Sequence, residues 1–373
     1  MKIVIAPDKF KHSMTAIDFC RIVQCEMKRL NQNLDVFSFP LADGGDGTIE
    51  VANYYLQGEL ISLEVNNPFF QPVKASYLFS ESTETAFIEM AEASGVKLLD
   101  PQELDCKNAT TLGTGEMIVD AINRGATNII LGIGGSATND CGIGMATALG
   151  YQFLDEENKT VRPIGANLSK IKAIDVAQVT PKLFNVNFEI ACDVTNPLYG
   201  ENGAAYVYAA QKGASATDIE MLDLGLRDFS KILQAVFQVE PQLVKGAGAA
   251  GGMGIASKVF LNGNLKSGVQ LIKDLANFDS ELHGADWVIT GEGKLDEQTL
   301  SGKTIEGVLR SAKAQNVKVA AFCGAVTLDK QAIQTFGIDY VDAVDNYASC
   351  KDDAMHNGAK YLKKIAANFL ENI

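Results

Sequence analysis

Three glycine-rich segments of this chain carry residue types that can hold a phosphate group. They read LADGGDGT at residues 41–48, GIGGSATND at 132–140 and GAGAAGGMG at 246–254. Glycine lets the backbone approach an anion closely with its N–H groups free to donate. The composition of these segments therefore favours anion binding. For each segment taken alone, a tight turn without a ligand is the alternative.

The second segment lies between a predicted strand and a predicted helix. Residues 128–133 form a short apolar run that predicts a buried strand, and residues 145–149 favour a helix. This layout directs backbone N–H groups toward an anion at the start of the helix. Ser136 and Thr138 add hydroxyl donors, and Asp140 adds a carboxylate that could help to hold a metal ion.

Aspartates follow two other predicted strands. Asp43 and Asp46 come after a predicted strand at residues 35–39, and Asp193 follows an apolar run at residues 188–192, which predicts a firmly held carboxylate. Ligands bind at the carboxyl ends of the strands in open parallel sheets, so these positions favour chemistry. A helix-capping turn is the alternative for the first pair, and a turn initiator is the alternative for Asp193.

Composition and charge narrow the class of protein. The 373 residues are 47% apolar and 21% charged, which is typical of a globular chain with two domains. The formal net charge of −14 argues against nucleic acid or an anionic membrane as the main partner. The seven scattered cysteines form no CxxC pair, and no apolar run reaches the roughly 18 residues of a membrane span. A cytoplasmic location is therefore expected.

The pattern of strands and helices predicts an α/β protein of two domains. Strand–helix alternation occupies both chain ends, whereas residues 60–89 read as short antiparallel strands. We therefore predict a Rossmann-like parallel sheet built from both chain ends and an inserted mixed α/β domain. The predicted boundaries are residues 1–62 plus 280–373 for the first domain and 63–279 for the second.

Two weak dinucleotide fingerprints are the only support for an NAD-dependent oxidoreductase. Residues 132–137 match the pattern in part, and residues 246–251 spell GxGxxG. No convincing buried strand precedes the second match, as the fingerprint requires. No convincing acidic strand end lies about 20 residues after the glycines. An oxidoreductase stays open only as a further alternative.

Taken together, these motifs resemble the type I glycerate kinase family along the length of the chain. The segments that carry the resemblance are APDKFKHSMTA (6–16), PLADGGDGT (40–48), EMAEASG (89–95), TTLGTGE (110–116), LGIGGSATNDCGIGM (131–145), ACDVTNPLYG (191–200), QKGA (211–214), GAGAAGGMG (246–254) and ITGEGKLDEQTLSGK (289–303). So many long segments in one order make a chance match negligible.

The resemblance implies a function as well as a fold. It implies two domains, one of them Rossmann-like, with the active site in the cleft between them, and it implies transfer of the γ-phosphoryl group of MgATP to a hydroxyl of D-glycerate. Glycine-rich loops, aspartates and lysines in the same motifs agree with this reaction. Phosphoryl transfer needs donors around the phosphates, cations on the developing charge and a carboxylate for the nucleophile.

Role hypotheses follow for the charged residues of these motifs. Asp193 is the expected base for the glycerate hydroxyl, and Lys11 and Lys294 are expected to hold phosphate or the glycerate carboxylate. ATP and Mg²⁺ are the expected cofactors. A solvated loop charge is the alternative for each of these residues alone.

The remaining site residues are metal ligands and ligand contacts. The expected magnesium ligands, directly or through water, are Asp43, Asp46 and Asp296. The residues expected to contact substrate or nucleotide are Asp8, Gly44, Gly45, Ser94, Thr114, Gly134, Gly135, Ser136, Thr138 and Asn139.

The product and the partners complete the expectations. The resemblance favours phosphorylation at the 2-hydroxyl, giving 2-phosphoglycerate, with 3-phosphoglycerate as the alternative. A non-catalytic binding protein on the same fold is a further alternative. We expect D-glycerate and ATP as small-molecule partners, no nucleic acid and no membrane, and we leave a homodimer open.

Overall fold

Strands and helices alternate along the chain in the computed structural model, which describes residues 1–11, 13–45, 47–297 and 304–373. The strands, in chain order, are β1 (Lys2–Ile5), β2 (Asp35–Ser38), β3 (Glu59–Asn66), β4 (Pro72–Ser80), β5 (Thr85–Glu89), β6 (Asn128–Gly132), β7 (Gln152–Leu154), β8 (Ala173–Asp175), β9 (Asn187–Ala191), β10 (Asn264–Lys266), β11 (Trp287–Thr290), β12 (Lys294–Leu295), β13 (Lys318–Cys323), β14 (Ala325–Val326) and β15 (Tyr340–Ala343). The α-helices are α1 (Ala16–Leu30), α2 (Thr48–Leu56), α3 (Ala91–Ser94), α4 (Leu112–Asn123), α5 (Ile143–Ala148), α6 (Ala216–Phe237), α7 (Ala249–Phe260), α8 (Gly268–Leu275), α9 (Phe278–Glu281), α10 (Thr304–Gln315), α11 (Lys330–Phe336), α12 (Lys351–His356) and α13 (Gly358–Glu371).

The chain divides into two compact units. Unit 1 consists of Met1–Tyr55 and Gly268–Ile373, and unit 2 consists of Leu56–Ser267. The boundaries drawn from the sequence, at residues 62/63 and 279/280, differ from these. The first would cut β3 in two, although β3 pairs with β4 along all eight of its residues. A ladder of backbone hydrogen bonds holds such a strand in one unit.

Unit 1 is built on a five-stranded parallel sheet drawn from both chain ends. Its strand order is β15-β13-β11-β1-β2. Most residues of β1, β11 and β13 are apolar and buried, as expected for a parallel sheet covered on both faces. The predicted α/β class with a parallel sheet is therefore confirmed.

Helices α1 and α13 close the core of unit 1. Thr15 caps α1 by accepting a hydrogen bond from the Asp18 backbone N–H. The ring of Phe369 on α13 lies 5.0 Å from Trp287 and 5.5 Å from Phe322, measured between ring centroids. These buried aromatic contacts hold β11 and β13 in register, and with them the loops that follow each strand.

Unit 2 contains a six-stranded mixed sheet in the order β10-β9-β6-β5-β4-β3. Strands β10, β9, β6 and β5 run parallel, whereas β4 runs antiparallel to both β5 and β3. The mixed inserted α/β region predicted from the sequence is confirmed in its class. Among the helices that the structure describes, none combines the length and apolar character needed to cross a membrane.

Candidate active site

A large cavity lies at the carboxyl ends of the parallel strands of unit 1. Its volume is about 1010 Å³, and loops after β1, β2, β11, β13 and β15 line it. The charged side chains that line it are Asp8, Lys9, Lys11, Asp43, Glu292, Lys294, Asp296, Asp345 and Lys351. Six of the expected site residues are brought together here, namely Asp8, Lys11, Asp43, Gly45, Lys294 and Asp296. Gly44 is next to two of them in sequence, and Asp46 lies outside the described residues.

Asp8 is the buried carboxylate of this cavity. Its Oδ1 accepts a hydrogen bond from the Lys9 backbone N–H at 2.7 Å, and its Oδ2 accepts one from Thr304 Oγ1. Burial, with a smaller contribution from the nearby charge of Asp43, raises the pKa of Asp8 to about 6, although the hydrogen bond from Thr304 lowers it. Two carboxylates therefore share this part of the cavity, and a cation bound near them would relieve their repulsion.

The loop that carries Asp43 is shaped by its own glycines. Asp43 Oδ1 accepts a hydrogen bond from the Gly45 backbone N–H at 3.0 Å, and Thr48 Oγ1 donates to the Gly45 carbonyl oxygen at 2.6 Å. Gly44 has a φ of 90°, a conformation that favours glycine. These bonds fix the turn between β2 and α2 and hold Asp43 at the strand edge.

Lys294 and Asp296 form an ion pair, which the sequence did not predict. Lys294 Nζ lies 3.0 Å from Asp296 Oδ2, and the lysine side chain is 57% exposed. The short strand β12 carries Lys294 and pairs with β14, which follows β13 directly. A predicted phosphate ligand and a predicted magnesium ligand are thus partners of one another. Lys11, the other predicted phosphate ligand, is exposed at the same cavity.

The cavity residues suit a magnesium ion bound together with a nucleotide. Asp8, Asp43, Glu292 and Asp296 provide hard oxygen ligands of the kind that Mg²⁺ prefers. Within the described ranges, no three His, Cys, Asp or Glu side chains are close enough to hold a metal ion by themselves. Magnesium commonly takes one or two protein carboxylates and completes its shell with water and phosphate.

Four charged residues of the cavity were missed by the sequence reasoning, namely Lys9, Glu292, Asp345 and Lys351. Lys9 and Glu292 both line it, and Glu292 is only 9% exposed. The signal that could have found Lys9 and Glu292 was present, because they lie within the quoted segments at residues 6–16 and 289–303. Lys9 is next to Asp8, and Glu292 is two residues before Lys294, whereas Asp345 and Lys351 lie outside the quoted segments.

The expected site residues of unit 2 gather at the carboxyl edge of its parallel strands. Ser94 follows β5 and lies on α3, and the segment from Gly134 to Asn139 follows β6. Ser94 Oγ and Thr114 Oγ1 share a hydrogen bond of 2.8 Å, and both side chains are fully buried. The Ala137 backbone N–H donates to the Ser94 carbonyl oxygen at 2.8 Å. The two loops are therefore one structure, built on adjacent strands.

The backbone of the second glycine-rich segment is open to solvent at one point. Gly134 and Gly135 are exposed, whereas Ser136, Thr138 and Asn139 are buried. A Cβ atom on Gly134 would meet nothing within 4 Å. The exposed glycines leave room for a ligand to approach the main chain.

Lys212 is a buried lysine beneath this segment, and the sequence reasoning did not select it. Its Nζ donates to Ser136 Oγ at 2.7 Å and to the Thr138 carbonyl oxygen at 2.9 Å. Desolvation lowers the pKa of Lys212 to about 8. The signal for it was a single lysine within the quoted segment QKGA at residues 211–214.

Asp140 is fully occupied by backbone and side-chain donors, so the expectation that it helps to hold a metal is wrong. Its carboxylate accepts hydrogen bonds from Thr111 N and Oγ1, both at 2.8 Å, from Gly142 N at 3.1 Å and from Gly144 N at 3.2 Å. Burial raises the pKa of Asp140, and these donors act in the opposite direction. Asp140 therefore ties the start of α4 to the loop.

The third glycine-rich segment, residues 246–254, packs closely against the second one, residues 132–140. Residues 250–252 have left-handed φ values of 52°, 69° and 95° and interrupt α7. A Cβ atom on Gly251 would lie 2.2 Å from the Thr138 carbonyl oxygen. The Cys141 backbone N–H donates to the Gly251 carbonyl oxygen at 2.9 Å. Glycine is needed here for close packing of one loop on another.

Asp193 lies two residues beyond the end of β9, at the same edge of the unit 2 sheet. Its side chain is exposed. The charge of Asp193 contributes to the raised pKa of the neighbouring Cys192 thiol, after burial.

Comparisons with known proteins give matches that span nearly the whole chain. A model of the glycerate kinase family matches residues 3–373. A glycerate kinase of Halalkalibacterium halodurans is 41% identical over 366 residues, covering 98% of this chain and 96% of that protein. A protein of Escherichia coli (strain K12) named glycerate 2-kinase is 39% identical over 368 residues, covering 99% of this chain and 97% of that protein.

A solved structure extends the agreement to three dimensions. A crystal structure from Salmonella typhimurium LT2, named as a glycerate kinase 2, matches with a TM-score of 0.88 and 36% identity. It covers 100% of this chain, and 99% of that chain is covered in turn. By its sequence and its fold, the chain belongs to the glycerate kinase family and is a kinase.

Proposed function

We propose that this protein transfers the γ-phosphoryl group of ATP to D-glycerate and forms 2-phosphoglycerate. The observation that carries the proposal is the cavity of unit 1, where carboxylates and lysines converge at the carboxyl ends of parallel strands. Its volume of about 1010 Å³ is large enough for a nucleotide. Membership of the glycerate kinase family supports the choice of reaction.

The charged groups of the cavity have complementary roles in this proposal. Lys11 and Lys294 neutralise charge on phosphate oxygens, which stabilises the transition state of phosphoryl transfer. Asp43 and Asp296 hold magnesium, directly or through water. When bound, the metal neutralises phosphate charge and orients the phosphoryl group. Asp46 is proposed as a further ligand from its place in the sequence.

Unit 2 supplies the acceptor side of the reaction in this proposal. Asp193 accepts the proton of the glycerate hydroxyl as that oxygen attacks the γ-phosphorus. Its exposure leaves the carboxylate accessible to a small substrate. Ser94, Thr114 and residues 134–139 contact substrate or nucleotide at the same strand edge.

The activity assay measures ADP release by the purified protein. We expect ADP release only when D-glycerate and Mg²⁺ are both present. ADP release that does not depend on glycerate would contradict the proposal, and so would an absorbance change of a nicotinamide cofactor. Omitting each component in turn provides the control within one preparation.

The position of the new phosphate is the finer part of the proposal. The Escherichia coli relative is named glycerate 2-kinase, whereas the Halalkalibacterium halodurans relative is named only glycerate kinase. Phosphorus NMR of the product distinguishes 2-phosphoglycerate from 3-phosphoglycerate through the coupling of phosphorus to neighbouring protons. A spectrum of 3-phosphoglycerate would overturn this part and leave the kinase assignment intact.

A further inference from the structure

The contacts around Lys212 do not explain why its ammonium group is buried. The residue is 4% exposed, and a buried ammonium without a matching carboxylate is costly. Within the described residues, its only hydrogen-bond acceptors are Ser136 Oγ and the Thr138 carbonyl oxygen. Asp140 is near enough to affect its pKa, but that carboxylate is engaged by Thr111, Gly142 and Gly144.

The direction of the hydrogen bond determines what Ser136 can do. An ammonium group has only donors, so Ser136 Oγ must be the acceptor in its bond with Lys212. The serine O–H hydrogen is then free to donate elsewhere. The structure gives it no acceptor within the described part of the chain. A hydroxyl that already accepts from a cation is a stronger donor, because the two hydrogen bonds polarise one another.

The neighbouring polar groups are also short of partners. Thr138 Oγ1 and both side-chain polar atoms of Asn139 are buried and have no hydrogen-bond partner among the described residues. Buried polar groups are nearly always hydrogen-bonded, so each unpaired one requires an explanation. These atoms follow directly the exposed backbone of Gly134 and Gly135. Unused donors and a buried positive charge at one strand edge point to an anionic ligand.

We propose that residues 134–139 form an anion-binding subsite and that Lys212 is its positioning residue. Lys212 fixes Ser136 Oγ so that its O–H donates to a carboxylate or phosphate oxygen, and the buried ammonium adds positive charge behind the loop. The inference rests on the proposed function, because D-glycerate supplies a carboxylate and ATP supplies phosphates. Lys212 does not itself touch the ligand, since Ser136 lies between them.

The test replaces Lys212 by methionine and measures stability and binding separately. Lys212→Met keeps the length of the side chain and removes a buried charge, so the melting temperature should be unchanged or higher. Titration calorimetry with D-glycerate, ADP and inorganic phosphate should show about a 10- to 100-fold weaker Kd for at least one of them. Loss of glycerate affinity alone identifies a carboxylate subsite, and loss of ADP affinity alone identifies a phosphate subsite.

Two further variants separate positioning from folding. Lys231→Met removes an exposed lysine from α6 of the same unit and should change neither stability nor binding. Ser136→Ala should reduce the affinity for the same ligand as Lys212→Met does. The double variant should bind that ligand no more weakly than the single variant with the lower affinity, because both changes remove the same interaction. Ser136→Ala remains informative if Lys212→Met does not fold.

Unchanged Kd values for all three probes in Ser136→Ala or in folded Lys212→Met would overturn the inference. Additive losses in the double variant would overturn the positioning role. These results are separable from a failure of the proposed function. If the wild type binds these anions but does not turn over glycerate, the reaction assignment fails and the subsite stands.

Discussion

The two units place their expected site residues at the same kind of sheet edge but differ in how far they bury them. In unit 1, the lysines and carboxylates reach into a cavity of about 1010 Å³, and Lys294 is 57% exposed. In unit 2, the hydroxyls of Ser94 and Thr114 and the amide of Asn139 are fully buried, and within residues 134–139 only Gly134 and Gly135 are exposed. Both follow the rule that ligands bind beyond the carboxyl ends of parallel strands.

The two units therefore differ in how firmly their site residues are held in place before a ligand binds. Exposed charges in water are screened and gain their full effect when a ligand displaces solvent. Buried hydroxyls and a buried ammonium are fixed by packing before any ligand arrives. We therefore expect variants of the exposed charges in unit 1, such as Lys294, to change catalysis with little effect on folding. Variants that disturb the close packing against the loop of unit 2, such as Gly251→Ala, should affect folding as well.

Asp193 is the exception in unit 2, because it is exposed, and its variant should have the largest effect. Asp193→Asn retains the size and one hydrogen-bond acceptor but cannot take a proton. We expect kcat to fall by a factor that corresponds to about 3–5 kcal/mol, with ATP affinity nearly unchanged. Steady-state kinetics with calorimetric ATP binding provides the measurement.

The matched control for that change is Asp228→Asn, which removes an aspartate of α6 that pairs with Lys231. It should leave kcat unchanged. A near-normal kcat in Asp193→Asn would remove Asp193 from the catalytic residues. Asp43 and Asp296 would then be the next carboxylates to test as the base.

Gly251→Ala should have the next largest effect, on stability. The new methyl would lie 2.2 Å from the Thr138 carbonyl oxygen, at a φ of 69°. We expect the free energy of unfolding to fall by about 3–4 kcal/mol. Gly200→Ala is the control, since Gly200 has a φ of 92° but nothing within 4 Å of the new methyl.

Urea denaturation of the two glycine variants separates strain from overlap. Gly200→Ala should lose only about 1 kcal/mol, from the left-handed conformation. Equal losses in the two variants would contradict the idea that the third glycine-rich segment is required for close packing on the second.

The buried carboxylate of Asp8 should make the stability of unit 1 depend on pH. Its pKa is about 6 in the folded chain and 3.8 ordinarily, so the folded state binds this proton more tightly. The resulting stabilisation is complete below pH 3.8 and is lost as the pH rises through about 6. Asp8→Asn is neutral at every pH and lacks this dependence.

Denaturation of both proteins across this pH range gives the size of the effect. The stability of the wild type relative to Asp8→Asn should fall by about 2–3 kcal/mol between about pH 4 and about pH 7. A constant difference across that range would show that the pKa of Asp8 is not raised in the folded state.

Lys294→Met should have the smallest of these effects. Loss of a solvated cation from the cavity should lower kcat/KM by about tenfold, or about 1–2 kcal/mol, without changing the melting temperature. Lys313→Met, which removes an exposed lysine from α10 of the same unit, is the control and should leave kcat/KM unchanged. A fall in melting temperature with unchanged kcat/KM would instead indicate a structural role for the Lys294–Asp296 ion pair.

Most of the fold could be predicted from local patterns. The strands β2, β6 and β9 were predicted at residues 35–39, 128–133 and 188–192, and the glycine and aspartate residues after them marked the strand ends. The predicted domain boundary at residues 62/63 falls inside β3 and is therefore too late in the chain. The whole of β3 belongs to unit 2 because it pairs with β4, whose residues lie further along the chain. Local composition cannot report such a partner.

The sequence alone determined the family and the class of fold, because these depend on residue types in a fixed order. Only the tertiary structure decided that Lys212 lies beneath Ser136, 76 residues away. It also decided that Lys294 pairs with Asp296 and that Asp140 accepts hydrogen bonds from Thr111. Burial and hydrogen-bond partners arise when distant segments pack together. That packing changes the charge and availability of a side chain without changing its type.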